Sequence, residues 1–240
     1  MPYGNVYEDD MRARAYAKLE FPGTYYLAYR DIPGIISKYA GGKTALDFGC
    51  GTGRSTRFLK ELGFDCTGVD ISENMLKQAR AKDADGDYRL VKEGDLDRFD
   101  KNTFDLILCA FTFDNIPTAE IKIKNFRAIA EALKPGGIVI NLVSSPDIYI
   151  NEWASFTTRD YPENKKAESG DIVKIVMKDV EDQRPVEDII WSDESYREVY
   201  LAAGLHIMDT LRPLGRESEP YEWINETRIA PWVIYVLKKE

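Results

Sequence analysis

Histidine is almost absent from this sequence of 240 residues, because His206 is the only one. Cysteine is also scarce: Cys50, Cys66 and Cys109 lie in or beside runs that predict core strands, and their spacing fits no metal site. Such an odd number of cysteines is typical of reduced, buried thiols in a cytoplasmic protein. The inventory excludes a multi-histidine metal site. We therefore expect no metal, and packing in the core is the favoured role for His206.

Long apolar runs and positive charge are lacking as well. No run approaches the roughly 18 residues of a transmembrane helix, and the segment from Met1 to Gly4 lacks the pattern of a signal peptide. The formal net charge of −9 argues against a nucleic-acid partner, since nucleic-acid affinity comes mostly from lysine and arginine. With 44% hydrophobic and 30% charged residues, we expect a globular cytoplasmic protein, monomer or homodimer, without nucleic-acid or membrane partners.

The most informative stretch runs from Thr44 to Arg54. It begins with an apolar run that predicts a buried strand, and a helix-like run over 55–59 follows it. Between the two lie three glycines at alternate positions, Gly49, Gly51 and Gly53. Glycine lets the backbone approach a ligand closely. A strand, a glycine turn and a helix therefore predict the cofactor-binding corner of an open α/β sheet.

The glycine spacing distinguishes between ligand classes. The dinucleotide fingerprint needs a third glycine for close strand–helix packing, and Arg54 or Thr56 takes that place here. Asp47 stands just before the turn, where its carboxylate would repel a pyrophosphate and suits a ligand with an ammonium group. The resulting Asp-x-Gly-x-Gly-x-Gly pattern resembles the S-adenosylmethionine loop of the class I methyltransferases. On this resemblance, Asp47 and the three glycines would bind the cofactor.

Further cofactor contacts are expected at two later strand ends. Asp70 ends a predicted strand about 20 residues after Asp47, the offset at which an acid binds a ribose in nucleotide-binding α/β units. The resemblance implies that Ile71 and Met75 would offer apolar surface beside the adenine. It also implies that Asp95 and Leu96 would contact the amino group and ring edge of the adenine. Two separate landmarks make the loop assignment more specific than a lone glycine motif.

The predicted strand over 104–110 ends where, in enzymes that this sequence resembles, the reactive methyl group lies. We expect the chemistry over 109–115, with Cys109 beside the cofactor and Asp114 as general base or substrate-orienting group. The substrate candidates in this segment are Phe111, Phe113 and Asn115. A Leu-Lys-Pro-Gly-Gly turn at 133–137, before a predicted strand over 138–142, resembles the turn that recurs here in the family. The resemblance covers residues 44–142.

The resemblance implies a fold and a domain organisation. The fold is a Rossmann-like, doubly wound α/β sheet of seven strands with one antiparallel strand. N-terminal lid helices would occupy residues 1–43, the methyltransferase core 44–143 and 192–240, and a substrate cap 144–191. Within the cap, two runs around the turn from Asp182 to Pro185 predict a β-hairpin.

The lid and the cap supply the remaining candidates. In the lids of similar enzymes a tyrosine or arginine often contacts the methionine carboxylate, and Tyr16, Tyr25 and Arg30 are candidates for that contact. Packing against the sheet is the alternative for each of them. In the cap, Tyr149 and Trp153 would offer flat surface to a planar acceptor. Surface covering or dimerisation is the alternative for the cap.

The predicted function is methyl transfer from S-adenosylmethionine to a small acceptor by in-line displacement, with S-adenosylhomocysteine as product. The leader and the stretch 191–204 resemble those of toxoflavin-type and sugar-amine N-methyltransferases, which favours nitrogen over oxygen or carbon and an aromatic or heterocyclic acceptor. The run from Cys109 to Thr112 differs from the motif of enzymes that methylate amino groups of DNA bases. An aminopropyltransferase, a catalytically inactive S-adenosylmethionine-binding subunit and a nicotinamide oxidoreductase stay open as alternatives.

Overall fold

Strands and helices alternate along most of the chain. The computed structural model describes residues 14–15, 17–92 and 95–239, so Tyr16 and Gly94 lie outside the described residues. The helices are α1 (Thr24–Arg30), α2 (Ile32–Tyr39), α3 (Arg54–Glu61), α4 (Glu73–Lys82), α5 (Ala119–Ala132) and α6 (Asp193–Ala202). The strands are β1 (Thr44–Phe48), β2 (Asp65–Asp70), β3 (Asp87–Leu90), β4 (Phe104–Ala110), β5 (Leu133–Ser144), β6 (Phe156–Thr157), β7 (Ile172–Met177), β8 (Val186–Ile189), β9 (Leu205–Leu211) and β10 (Trp232–Lys239). Three 3₁₀ turns cover Thr112–Asn115, Pro146–Tyr149 and Pro162–Lys166.

Seven strands form one sheet in the order β3-β2-β1-β4-β5-β10-β9. The first five are parallel to one another, and β10 runs antiparallel to both of its neighbours. This arrangement confirms the predicted doubly wound sheet with one antiparallel strand. The carboxyl ends of β1, β2, β4 and β5 therefore meet along one edge, where open α/β sheets bind their ligands.

Both faces of the sheet are covered by apolar side chains. Along β4, Leu106 and Leu108 belong to the core cluster that includes α1, α2 and α3, whereas Ile107 and Cys109 belong to the cluster that includes α5 and α6. This alternation follows from the period of two in a β-strand. A strand covered on both faces reads as a continuous apolar run, which is why β4 was predictable.

The residues after β5 form a second, smaller sheet. Strands β6, β7 and β8 are antiparallel, and Ile172 pairs with Ile189 in the β7–β8 hairpin. The predicted hairpin is therefore present, and β6 adds a third strand that the sequence did not indicate. Met177 and Val186 of this hairpin belong to the same core cluster as Tyr25 of α1 and Trp232 of β10. The small sheet is thus packed against α1 and the main sheet.

The start of β5 differs from the prediction. Phe104 pairs with Leu133 and Leu106 with Ile138, so residues 134–137 bulge out of the ladder while the strand continues. Gly136 has a φ of 81° in this bulge, a conformation that favours glycine. Lys134 at its start forms a 3.0 Å ion pair with Asp105. The Pro-Gly-Gly sequence therefore makes a bulge within the strand instead of a turn before it.

Within the described ranges, none of the helices is both long and apolar enough to cross a membrane. His206 lies on β9, the edge strand of the main sheet, and its side chain is exposed. The expectation that His206 packs in the core is wrong, because successive side chains of β9 point to opposite faces, and that of Leu205 is buried while that of His206 is exposed.

Candidate active site

The glycine loop follows β1 and turns into α3. Gly49, Gly51 and Gly53 all have positive φ, at 77°, 53° and 78°. A Cβ at Gly49 would lie 2.3 Å from the Thr112 hydroxyl oxygen, and one at Gly53 would lie 2.5 Å from the Tyr88 hydroxyl oxygen. At Gly51 the nearest atom would be the Met75 methyl carbon at 3.1 Å. Packing inside the protein therefore requires glycine at positions 49 and 53, and a side chain at position 51 would crowd Met75.

Asp47 lies beneath this loop and is fully buried. Its Oδ2 accepts hydrogen bonds from the Ser55 hydroxyl at 2.7 Å and the Thr56 hydroxyl at 2.6 Å. Its Oδ1 has no hydrogen-bond partner among the described residues. Burial raises the pKa of this carboxyl to about 6, because the charged form is poorly solvated. An ammonium group of a ligand would satisfy the orphaned oxygen, which fits the predicted cofactor.

Thr56 also explains why the dinucleotide fingerprint is broken. A Cβ at Gly68 of β2 would lie 2.8 Å from its hydroxyl oxygen, so here the strand supplies the glycine that allows close strand–helix packing. The neighbouring Arg54 is buried, with its guanidinium carbon 4.8 Å from the ring centroid of Tyr25. The side chains of Arg54 and Thr56 both pack inside the protein, so neither position serves as the third glycine of a dinucleotide-binding loop.

Asp70 joins the end of β2 to the glycine loop. Its Oδ2 accepts from the Gly51 N–H at 2.8 Å, and its Oδ1 accepts from the Ser72 N–H at 2.8 Å. A carboxylate has about four acceptor positions, so a ribose hydroxyl could still bind beside these backbone donors. Ile71 beside it is 51% exposed, while Met75 is buried against Gly51. The sequence predicted the ribose contact but not that Asp70 also holds the loop.

The other predicted cofactor contacts lie in different surroundings. Asp95 is exposed and accepts from the Asp97 N–H at 3.0 Å, while the Leu96 side chain is buried in the core. The Cys109 side chain is fully buried between the sheet and the α5–α6 layer, and burial raises its pKa well above the usual thiol value. Its thiol is therefore unreactive, and a cofactor contact would have to come from its backbone.

Two candidates in the lid lie in contrasting places. The Tyr25 hydroxyl donates to the Met177 sulfur at 3.2 Å, which ties α1 to the β7–β8 hairpin. Arg30 forms ion pairs with Asp31 at 2.9 Å and with Glu219 at 2.8 Å, and these partners raise its pKa. Arg30 thus connects the end of α1 to the segment before β10.

The 3₁₀ turn after β4 connects the glycine loop with β5. The Thr112 hydroxyl donates to the Phe48 carbonyl at 2.7 Å, and the Phe111 N–H donates to the Leu142 carbonyl at 2.8 Å. Phe111 has a φ of 63°, which costs about 1–3 kcal/mol for a residue with a bulky side chain. Such strain persists only where the surroundings fix it, and here hydrogen bonds on both sides do so.

A cavity of about 50 Å³ lies beside this turn, at the carboxyl ends of β4 and β5. It is lined by five of the predicted residues, namely Tyr25, Phe111, Asp114, Asn115 and Tyr149. The sequence thus identified candidates from the lid, the turn after β4 and the cap, and the fold brings them together at one place.

Two predicted substrate residues do not line this cavity. Phe113 is buried on the other side of the turn, where its ring stacks on Phe126 with a centroid distance of 3.9 Å and an interplanar angle of 8°. Trp153 is fully buried and donates its indole N–H to the Ile148 carbonyl at 2.8 Å. Both side chains therefore pack in the protein interior next to residues of the site.

Buried ionisable groups that the sequence did not indicate surround Asp114. The Asp114 carboxylate accepts from the Ser144 N–H at 3.0 Å and from the Ser144 hydroxyl at 2.8 Å. Asp188 of β8 accepts from the Tyr149 hydroxyl at 3.1 Å and lines the same cavity. Lys122 of α5 is fully buried and donates to the Phe113 carbonyl. Burial raises the pKa of both acids and lowers the pKa of Lys122.

A periodicity argument could have found two of these residues. Lys122 stands four positions before Phe126 on α5, so it shares the buried face of that helix. Asp188 stands two positions after Val186 on β8, so it shares that residue's inward face. A charged residue at an apolar position of a periodic pattern is the signal in both cases. Within the described ranges, no three side chains of histidine, cysteine, aspartate or glutamate are grouped so that they could hold a metal ion.

Comparisons with known proteins show which proteins the chain is similar to. Residues 46–141 match the family model described as methyltransferase domain. The chain is 37% identical over 109 residues to the demethylmenaquinone methyltransferase of Staphylococcus aureus. The aligned region covers 43% of this chain and 44% of that protein. It is 35% identical over 100 residues to the ubiquinone biosynthesis O-methyltransferase of Idiomarina loihiensis, with 40% of each chain covered. The chain therefore spans less than half the length of these curated relatives.

A solved structure extends the likeness to the whole fold. An S-adenosylmethionine-dependent methyltransferase from Clostridium acetobutylicum superposes with a TM-score of 0.61 at 18% identity, covering 98% of this chain and 96% of that one. The matched region contains the glycine loop, the acids at the ends of β1 and β2, and the turn that lines the cavity. Residues 46–141 thus match a methyltransferase domain, and the chain has the fold of an S-adenosylmethionine-dependent methyltransferase.

Proposed function

We propose that this protein transfers a methyl group from S-adenosylmethionine to a small molecule that occupies the cavity lined by Asp114, and that the methylated atom is nitrogen. The acceptor-binding groups come from the lid (1–43), the turn after β4 and the cap (144–191), and the donor-binding groups come from the core. The names of the relatives, which are quinone-pathway methyltransferases, support a small-molecule acceptor.

The donor side of the site fits the cofactor's chemistry. The orphaned Oδ1 of Asp47 would accept a hydrogen bond from the amino group, the glycine loop would let the cofactor approach the backbone, and Asp70 would accept from the ribose hydroxyls. Ile71 offers exposed apolar surface next to Asp70 for the adenine. When bound, the cofactor supplies a methyl group on a sulfonium, and the protein's part is to position the acceptor.

The observation that carries the proposal is the position of the 112–115 turn. Thr112 on one side of this turn contacts Gly49 of the cofactor loop, while Phe111 and Asp114 on its other side line the cavity. An acceptor in the cavity is therefore one turn of backbone away from the donor loop. This proximity is what an in-line transfer between two bound molecules requires.

Asp114 is the proposed general base. The Ser144 N–H and hydroxyl bind its charged form, which opposes the effect of burial and keeps the carboxylate able to accept a proton. Its position in a cavity with room for only a few water molecules limits competition from solvent. Because Tyr25 of α1 and Val186 of the hairpin help to close the cavity, we expect these two segments to move when the acceptor enters.

Aminopropyl transfer is a second candidate because the structure shows two acids, Asp114 and Asp188, at the cavity. Paired carboxylates suit an amine acceptor in either reaction. The two reactions differ in the donor, since aminopropyl transfer uses decarboxylated S-adenosylmethionine. The inactive-subunit alternative predicts cofactor binding without transfer to any acceptor.

The test combines binding with turnover. Calorimetry with S-adenosylhomocysteine establishes donor binding in the wild type and in Asp70→Asn. Mass spectrometry then follows products formed from amine, hydroxyl and carbon acceptors with S-adenosylmethionine or its decarboxylated form. Methylated amines support the proposal. Binding of S-adenosylhomocysteine with no methylated product from any acceptor class would refute it.

A further inference from the structure

The walls of the cavity are of two chemical kinds. One kind is aromatic: Tyr25, Phe111, Phe156 and Trp232 line it, and neighbouring ring centroids lie 4.8–5.9 Å apart. These four rings come from α1, the turn after β4, β6 and β10. The electron-rich faces of such rings attract cations at distances of up to about 6 Å.

The other kind of wall is acidic. Asp114 and Asp188 both line the cavity, whereas none of its described lining residues is lysine, arginine or histidine. Lys122 is the buried cation nearest to these acids, and its ammonium group donates to the Phe113 carbonyl and lies 4.8 Å from the Trp191 ring centroid. The site therefore holds two buried acids and one buried lysine, and a bound cation would favour the ionised form of the acids.

We propose that the acceptor binds as an alkylammonium ion, held between the aromatic rings and the Asp114–Asp188 pair. This inference rests on the proposed function and narrows its substrate class. The reacting end of the acceptor is a small aliphatic amine, which suits a cavity of about 50 Å³. It carries no carboxylate near the nitrogen, because the two acids would repel it.

The chemical step that follows is balanced in protons and electrons. The ammonium gives one N–H proton to the Asp114 carboxylate. The nitrogen lone pair thus released forms the new N–C bond while the C–S bond breaks, and that bond's electrons stay on sulfur. The product is an ammonium ion with one more methyl group, and the donor becomes a neutral thioether.

Binding is tested with a charged probe and its neutral isostere. Isopropylamine and isopropanol are titrated into protein saturated with S-adenosylhomocysteine, by calorimetry near neutral pH. We expect the amine to bind and the alcohol to bind at least about tenfold more weakly. Phe111→Leu keeps apolar volume but removes one ring, and we expect the amine to bind about twofold to thirtyfold more weakly. Phe156→Leu is the second ring variant if Phe111→Leu does not fold.

Charge is tested separately. Asp188→Asn keeps the shape and the contact with Tyr149, and we expect amine binding to weaken at least about tenfold. Asp209→Asn on β9 is the matched control, because its carboxylate bonds to the Tyr39 hydroxyl far from the cavity. Asp209→Asn leaves amine binding unchanged.

Proton release provides a second readout. Four ionisable groups surround Asp188: Asp114 of the 112–115 turn, Lys122 of α5, Tyr149 of the 146–149 turn and Tyr196 of α6. Burial raises the pKa of Asp188. A bound cation favours the ionised form, so binding of the amine releases a proton. Calorimetry in buffers of different ionisation enthalpy detects this proton, and Asp188→Asn removes the release.

The outcomes separate the two proposals. Equal affinity for amine and alcohol, or unchanged amine affinity in both Asp188→Asn and a folded ring variant, overturns the alkylammonium inference. If S-adenosylhomocysteine binds and methyl transfer occurs only to a neutral acceptor, the inference fails while the proposed function stands. If S-adenosylhomocysteine does not bind to the wild type, the proposed function itself fails.

Discussion

Replacing Ser144 by alanine gives a sharp test of the proposed base. The Ser144 hydroxyl donates to Asp114 Oδ2 at 2.8 Å, and the substitution removes this bond but leaves the 3.0 Å bond from the Ser144 N–H. A hydrogen bond to a charged acceptor is worth about 1.5–3 kcal/mol. We use the lower end, because the remaining N–H and the nearby Lys122 partly compensate for the loss.

The consequence is a shift in the pH dependence of activity. The Ser144 hydroxyl stabilises the ionised form of Asp114, so losing it raises the pKa of Asp114 further. A loss of about 1.4 kcal/mol corresponds to a tenfold change in proton affinity. The acid limb of the kcat/KM profile should therefore move upward by about one pH unit in Ser144→Ala.

The assay compares wild type and variant with the same amine, so that the titration of the acceptor cancels. Ser145→Ala is the matched control, because the Ser145 hydroxyl is buried next door but bonds to Asp147 instead of Asp114. We expect the control to keep the wild-type profile. An acid limb that stays in place in Ser144→Ala, in protein with unchanged affinity for S-adenosylhomocysteine, would refute Asp114 as the base.

Three further predictions concern the donor side. Asp70→Asn should weaken S-adenosylhomocysteine binding about tenfold to a hundredfold, because one charge-assisted ribose contact is lost, and calorimetry measures it. Gly51→Ala should weaken the same binding because the new methyl group crowds Met75 and distorts the loop, whereas Gly136→Ala, also at a positive φ but with no atom nearby, should not. S-adenosylhomocysteine affinity should fall below about pH 6, where Asp47 takes up a proton, and Asp47→Asn should remove this dependence. Equal affinity in the two glycine variants, or a flat profile in the wild type, would contradict the assigned contacts.

The sequence predicted the fold well because the decisive signals are local. Residues 104–110 form a fully covered strand and therefore read as an apolar run, and the glycine loop has a fixed spacing. The sheet order then follows from the family pattern. The bulge at 134–137 was missed because proline and glycine are typical of turns, and only the pairing of Phe104 with Leu133 shows that the strand starts earlier.

The site was predicted in part, for a physical reason. Asp114, Phe111 and Tyr149 could be named because they follow strand ends or stand in an aromatic cap. Asp188 and Lys122 act through contacts between distant segments, and a charged residue at an apolar position of a periodic pattern is the one local signal that marks them. A side chain's direction within a turn is also set by packing, which is why Phe113 turns toward Phe126 instead of the cavity.

The most direct test of the account follows a labelled methyl group. S-adenosylmethionine labelled at the methyl carbon is incubated with isopropylamine and related alkylamines, using wild type, Asp114→Asn and the control Asp209→Asn. The account predicts labelled N-methyl product with the wild type and the control, and about a hundredfold slower transfer with Asp114→Asn at equal affinity for S-adenosylhomocysteine. Transfer by Asp114→Asn at the wild-type rate, or no labelled amine from a wild type that binds S-adenosylhomocysteine, would contradict it.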